Sequence, residues 1–123
     1  MKQILLVFVG GGIGSALRYL VGSWLNNPQN GIPYGTFVAN ILGSLIIGAI
    51  LGWALKNNTL GSGAVLILAT GFCGGFTTFS TFAYENHLLL RSGDFFNFAL
   101  YTISSILLGF GAVFLGIWLA RYI

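Results

Sequence analysis

Apolar residues run in four long stretches, Ile4 to Leu25, Phe37 to Leu55, Ala64 to about Leu90 and Phe95 to Ile123. Polar positions gather between them, at Asn26–Pro33, Lys56–Ser62 and Arg91–Asp94. A helix needs roughly 20 predominantly apolar residues to cross the hydrocarbon core of a bilayer. The pattern therefore predicts an all-α membrane protein, with residues 1–123 forming a single domain of four transmembrane helices joined by short loops. The first stretch is expected to be a retained span. No small-residue cleavage pattern follows it, and it holds Arg18 and several glycines.

Composition sharpens this reading. Charged residues make up 6% of the chain, against about 25% in a soluble domain, which leaves no room for a soluble catalytic domain. The net charge of +3 arises from scattered residues, Lys2, Arg18, Lys56, Arg91 and Arg121, so no basic stripe suits nucleic acid. Cys73 stands alone, and His87 has no partner at ligand spacing. Glu85, Asp94 and His87 form no acid–base or nucleophile arrangement, so no enzyme is expected. With an even number of spans, Lys2, Lys56 and Arg121 share one side, while Arg91 lies on the other with Arg18 if Arg18 is near its helix end. Orientation follows the cytoplasmic excess of lysine and arginine, here about one charge. So weak a bias permits insertion both ways, and two opposite copies could then pair.

Many of the 19 glycines fall inside the spans. Gly10–Gly14, Ser44–Gly48, Gly48–Gly52 and Ala112–Gly116 are small-xxx-small spacings, which let helix backbones approach closely in lipid. Two readings fit: a tight homo-oligomer, which is the expectation here, or packing within one four-helix bundle.

The third stretch carries the most unusual segment, Gly71-Phe72-Cys73-Gly74-Gly75-Phe76-Thr77-Thr78-Phe79-Ser80-Thr81-Phe82. Its glycines and hydroxyl residues make a poor continuous helix. A helix broken in its middle would free carbonyl oxygens able to coordinate a small cation such as Na⁺. The other reading is a glycine packing face with threonines bonding back to their own helix. Phe79 and Phe82, three apart, share a helical face with Glu85. Aromatic rings have positive edges, so edges turned to a pathway would attract a small anion; the other reading makes both phenylalanines ordinary packing groups. Asn40 lies inside the second span, with Thr36 one turn before it, and its amide nitrogen can donate to an anion. Tyr101 and Ser105, one turn apart in the fourth span, extend a line of hydroxyl donors. Arg18 either snorkels to the interface or biases a vestibule toward anions.

Three motifs together resemble the Fluc family of fluoride channels, also called CrcB-like proteins. They are Gly10-Gly11-x-x-Gly14-Ser15-x-x-Arg18-Tyr19, Gly35-Thr36-Phe37-x-x-Asn40 followed by Gly43 and Ser44, and the run Gly71 to Phe82 continuing to Glu85. The resemblance covers essentially the whole chain. It implies an inverted, dual-topology homodimer in the cytoplasmic membrane, with two fluoride pores and a structural Na⁺ at the dimer centre. By motif position, Phe79 and Phe82 are similar to the pore phenylalanines and Asn40 to the pore asparagine. Gly74 and Thr77 resemble the backbone Na⁺ ligands. Thr36, Ser80, Tyr101, Ser105 and Glu85 are further pathway residues on this reading, and Arg18 is expected at the pore entrance. Two departures stand out. Ser15 replaces a usual alanine, and Gly109 and Ala112 follow Ser105, so the extent of the hydroxyl line beyond Ser105 is open.

The function implied is passive, selective fluoride export that protects the cell from fluoride toxicity. The alternative is a small proton-coupled multidrug exporter, also of four spans. Such an exchanger needs a carboxylate deep in the membrane. The first span has none, and Glu85 comes late in the third.

Overall fold

A computed structural model describes residues 1–123, the whole chain. It is all-helical. Helix α1 covers Lys2–Leu25, α2 covers Tyr34–Lys56, α3 covers residues 63–76, α4 covers Phe79–Arg91 and α5 covers Phe95–Leu119. Helices α3 and α4 together make the third of four helices long and apolar enough to cross a membrane, and the chain is a multi-pass membrane protein. The boundaries follow local chemistry. Pro28 opens a short 3₁₀ turn whose Asn27 side chain accepts from the Gln29 amide. Ser62 caps α3, and Asp94 caps α5 by accepting from the Asn97 amide at 3.2 Å. Gly93, with φ of 79°, supplies the left-handed residue that lets α4 turn back within a few residues.

The small-residue faces are consumed inside the chain. The position a Gly14 side chain would occupy holds backbone atoms of Phe72 and Phe76, so α1 lies directly against α3. Gly116 of α5 likewise meets the backbone of α2, with Ala49 N 2.7 Å from where its Cβ would stand. These contacts are the close backbone approach expected of small residues in lipid. The glycine pattern is therefore explained by packing within one bundle and does not in itself call for a second copy.

Only 20 of the 123 residues are buried, so the bundle encloses little volume of its own. Its two small apolar clusters lie toward opposite ends. Ile32, Leu89 and Tyr101 pack with Phe37, Phe82 and Phe98, and Ala54, Val65 and Ala69 pack with Ile47, Ile50 and Leu51. The remaining large apolar side chains face outward, as lipid solvation allows.

The break in the third span is present. Thr77 (φ −85°, ψ 154°) and Thr78 (φ −151°, ψ 122°) are extended between α3 and α4. A second irregularity, absent from the sequence reading, precedes it: residues Leu66–Cys73 are wound as a π-helix. This stretch contains Gly71, whose Cβ position lies 3.0 Å from the Gly10 Cα, and π-turns inside α-helices often mark functional segments.

Candidate functional site

The site is built around the break, because breaking a helix at membrane depth strands backbone groups that must find partners. Thr78 shows how this is solved. Its N–H donates to Asn40 Oδ1 at 2.8 Å, and its carbonyl accepts from Asn40 Nδ2 at 3.2 Å. The Asn40 amide thus stands in for a peptide group, joining α2 to the extended pair. The asparagine amide has two N–H groups, and Asn40 also lines an open groove. From the opposite face, Arg18 Nε donates to the Gly75 carbonyl at 3.0 Å and Ser15 Oγ to the same oxygen at 3.4 Å.

Arg18 is therefore drawn toward the middle of the bundle, seven residues before the end of α1 at Leu25. That changes the charge count. Lys2, Lys56 and Arg121 lie toward one end, where Lys56 Nζ donates to the Arg121 carbonyl, and only Arg91 is left at the other. The excess toward one end is then two charges.

Other carbonyls at the break keep no helical donor. In a continuous helix Gly74 O would accept from Thr78 N and Thr77 O from Thr81 N. Thr78 N goes to Asn40, and Thr81 N turns to Thr78 Oγ1 at 3.3 Å. Gly74 is exposed, with nothing within 4 Å of its Cβ position. Neutral carbonyl oxygens freed by an unwound helix suit a hard cation such as Na⁺.

Most of the pathway residues expected from sequence fall into two groups. Asn40, Phe79, Phe82 and Ser105 line one open groove of about 480 Å³ beside Gly74 and Thr77. Phe79 is 79% exposed. Thr36, Glu85 and Tyr101 form the second group, in which the Thr36 hydroxyl neighbours both other side chains. Glu85 also lines a second hollow, about 700 Å³, between the α1–α2 loop and α4. Phe82 joins the groups: its ring lies 6.0 Å from that of Phe79 and 5.1 Å from that of Tyr101, the latter edge to face at 62°. Ser80 belongs to neither. It is exposed at the start of α4, with its hydroxyl 3.3 Å from that of Thr78.

Both Glu85 carboxyl oxygens, the Tyr101 hydroxyl and Ser105 Oγ are buried without a hydrogen-bond partner in the protein. Orphaned buried polar atoms are rare and costly.

Three polar contributors escaped the sequence reading. Asn86 is buried, donating to the Phe82 carbonyl at 3.0 Å and accepting from Thr102 Oγ1 at 2.9 Å, which ties α4 to α5. Its place one turn after Phe82 was the available signal. Ser15, which stands where alanine is usual, shares the Gly75 carbonyl with Arg18. Asn26 looked like loop, although its side chain reaches α2.

A family model described as "CrcB-like protein, Camphor Resistance (CrcB)" matches residues 5–117. Relatives similar over nearly their whole length carry the name "Fluoride-specific ion channel FluC". One from Gloeothece citriformis is 48% identical, covering 98% of this chain and 98% of its own. One from Oceanobacillus iheyensis is 43% identical, covering 99% and 94%, and one from Hyphomonas neptunium is 47% identical, covering 100% and 98%. With the motifs, the broken third span and these matches in agreement, the chain belongs to the CrcB-like family.

Proposed function

We propose that this chain is a fluoride-selective channel of the cytoplasmic membrane, exporting the anion passively and so protecting the cell. What supports the reading is that Phe82 borders the groove it shares with Ser105 and Asn40 and also packs on Tyr101, with the Tyr101 and Ser105 hydroxyls unpartnered by protein. Fluoride is small and strongly hydrated, so a pore must replace water's hydrogen bonds while refusing a larger halide. The hydroxyls and the second Asn40 N–H supply donors, and ring edges of Phe79 and Phe82 supply weak positive charge. Weak, repeated donors let the ion leave as readily as it enters. No arginine is needed on the line, which is consistent with Arg18 being engaged by Gly75. The name borne by the relatives supports the same substrate. Family membership also sets aside the multidrug exporter and any enzymatic reading.

The working unit on this reading is an inverted homodimer. Its support is the family resemblance, the outward face of Phe79 and the openness of the groove, which a second copy would close. The carbonyls of Gly74 and Thr77 would hold Na⁺ at the centre of that dimer, where it would supply fixed positive charge.

Efflux recorded with a fluoride electrode from proteoliposomes containing the purified protein tests the proposal. Electrogenic fluoride release with no matching chloride release is expected, and protein that releases no fluoride ends the reading. Phe82→Ile retains bulk but removes the ring edge and its 5.1 Å contact with Tyr101. This variant is expected to assemble normally and to lose at least about tenfold in fluoride flux, roughly the worth of an aromatic interaction. Undiminished flux would remove the ring from the pathway.

A further inference from the structure

Asn26 is the first residue beyond α1, in a position where a polar side chain usually serves its own helix or the following loop. Its side chain instead crosses to the start of α2. Oδ1 accepts from the Gly35 N–H at 2.7 Å and from the Thr36 N–H at 3.3 Å. Nδ2 donates to Thr36 Oγ1 at 3.4 Å.

Two features of the chain make this arrangement necessary and possible. The residue preceding α2 is Pro33, which has no side chain able to cap, so the first-turn amides of α2 need an acceptor from elsewhere. The absence of a side chain at Gly35 lets Asn26 in: a Cβ there would stand 2.8 Å from both Asn26 Oδ1 and Gly22 Cα.

The amide nitrogen does something a cap does not require. A threonine hydroxyl carries one proton and accepts through its lone pairs. By accepting from Asn26, the Thr36 oxygen has its proton left to give elsewhere. Thr36 is 4% exposed, so no bulk water competes for that proton. Glu85 and Tyr101 lie beside it, and their buried oxygens have no hydrogen-bond partner in the protein.

We infer that Asn26 is a positioning residue for the pathway: its Nδ2 donation to Thr36 turns the Thr36 proton toward the Glu85 and Tyr101 oxygens. It touches no ion itself. Resting as it does on the fluoride-channel reading, the inference explains why an asparagine, with both an acceptor and a donor, stands where a simple cap would suffice.

Asn26→Asp separates the two roles. The carboxylate keeps the capping oxygen, and a negative charge is favourable at the start of a helix. The donor to Thr36 is lost, and a second acceptor takes its place, pulling the Thr36 proton toward residue 26. Fluoride efflux from proteoliposomes and thermal unfolding would be measured for the wild type, N26D, T36V and the double variant. N26D is expected to unfold no earlier than the wild type, yet to pass fluoride roughly tenfold more slowly, the worth of one misdirected hydrogen bond. T36V should be slowed similarly, and the double variant should be no slower than T36V, since Asn26 acts through that hydroxyl.

Wild-type flux in N26D overturns the inference. So does an equal slowing by N26D in the T36V background, because the charge would then act without Thr36. An N26D protein that fails to assemble overturns the cap on which the geometry stands. Absence of fluoride flux from the wild type fails the channel reading instead, so the two failures are distinct.

Discussion

Asn40→Asp is expected to stop fluoride conduction almost completely, by about a hundredfold or more, in a protein that still assembles. The asparagine serves the break in two directions, accepting from Thr78 N–H at 2.8 Å and donating to the Thr78 carbonyl at 3.2 Å. An aspartate keeps the first bond and destroys the second, setting a carboxylate oxygen against a carbonyl oxygen. The groove it borders also holds Ser105, Phe79 and Phe82, so the new charge sits beside the proposed route of an anion. A carboxylate inside a membrane span costs up to about 2.5–3.5 kcal/mol on insertion scales, and an approaching fluoride meets like charge. A loss of about 2.7 kcal/mol corresponds to a factor of about a hundred. Fluoride-electrode efflux, with size-exclusion elution to verify assembly, checks the result. Wild-type rates in a correctly assembled N40D protein would exclude Asn40 from the pathway.

Gly14→Val is expected to abolish folding rather than conduction. A Cβ at position 14 would collide with the Phe72 carbonyl oxygen and stand 2.8 Å from Phe76 N and 3.0 Å from Phe72 C. All three are backbone atoms, which cannot rotate aside as a side chain can. Helix α1 must then lift away from α3, and Ser15 and Arg18, which follow on the same helix, leave the Gly75 carbonyl they hold. Overpacking of a well-filled interior costs about 1–3 kcal/mol, and a backbone clash lies at the upper end or beyond. Against a total stability of about 5–15 kcal/mol for a typical domain, the loss of the clamp in addition is expected to leave little folded protein in detergent. Gly12→Ala provides the contrast. Nothing lies within 4 Å of its Cβ position, and alanine is the better helix former by about 1 kcal/mol, so this variant should unfold at or slightly above the wild-type temperature. A Gly14→Val protein as stable as the wild type would show that α1 does not lie against α3.

Several elements were readable in advance for a plain reason: their causes are local. The spans follow from runs of apolar residues matched to bilayer thickness, and the break follows from glycines and threonines that cannot sustain a helix. The motifs around Asn40 and Gly71–Phe82 pointed to the family that the comparisons bear out. Partners were another matter. Asn40 meets Thr78 across 38 positions, and Arg18 meets Gly75 across 57. Nothing in a periodicity states which of several faces a side chain will find. Arg18 finds the Gly75 carbonyl for that reason, and Ser80 lies apart from the groove because one residue's step round a helix turns it roughly 100° from Phe79.

The glycine spacings illustrate the same division. They announced that backbones would approach closely, and they do, but a small residue carries no label for its neighbour. Pairing α1 with α3, and α2 with α5, required all the helices to compete for the same faces. Asn26 is the sharpest instance. Asparagine is a common cap residue, yet the helix Asn26 serves begins beyond an intervening proline-containing loop, and only the approach allowed by Gly35 makes the contact possible. Span number, span length and the weak point in the third helix thus came from short-range energetics along the chain. The route between the helices, and which polar groups were left without partners on it, arose from packing among residues far apart in sequence.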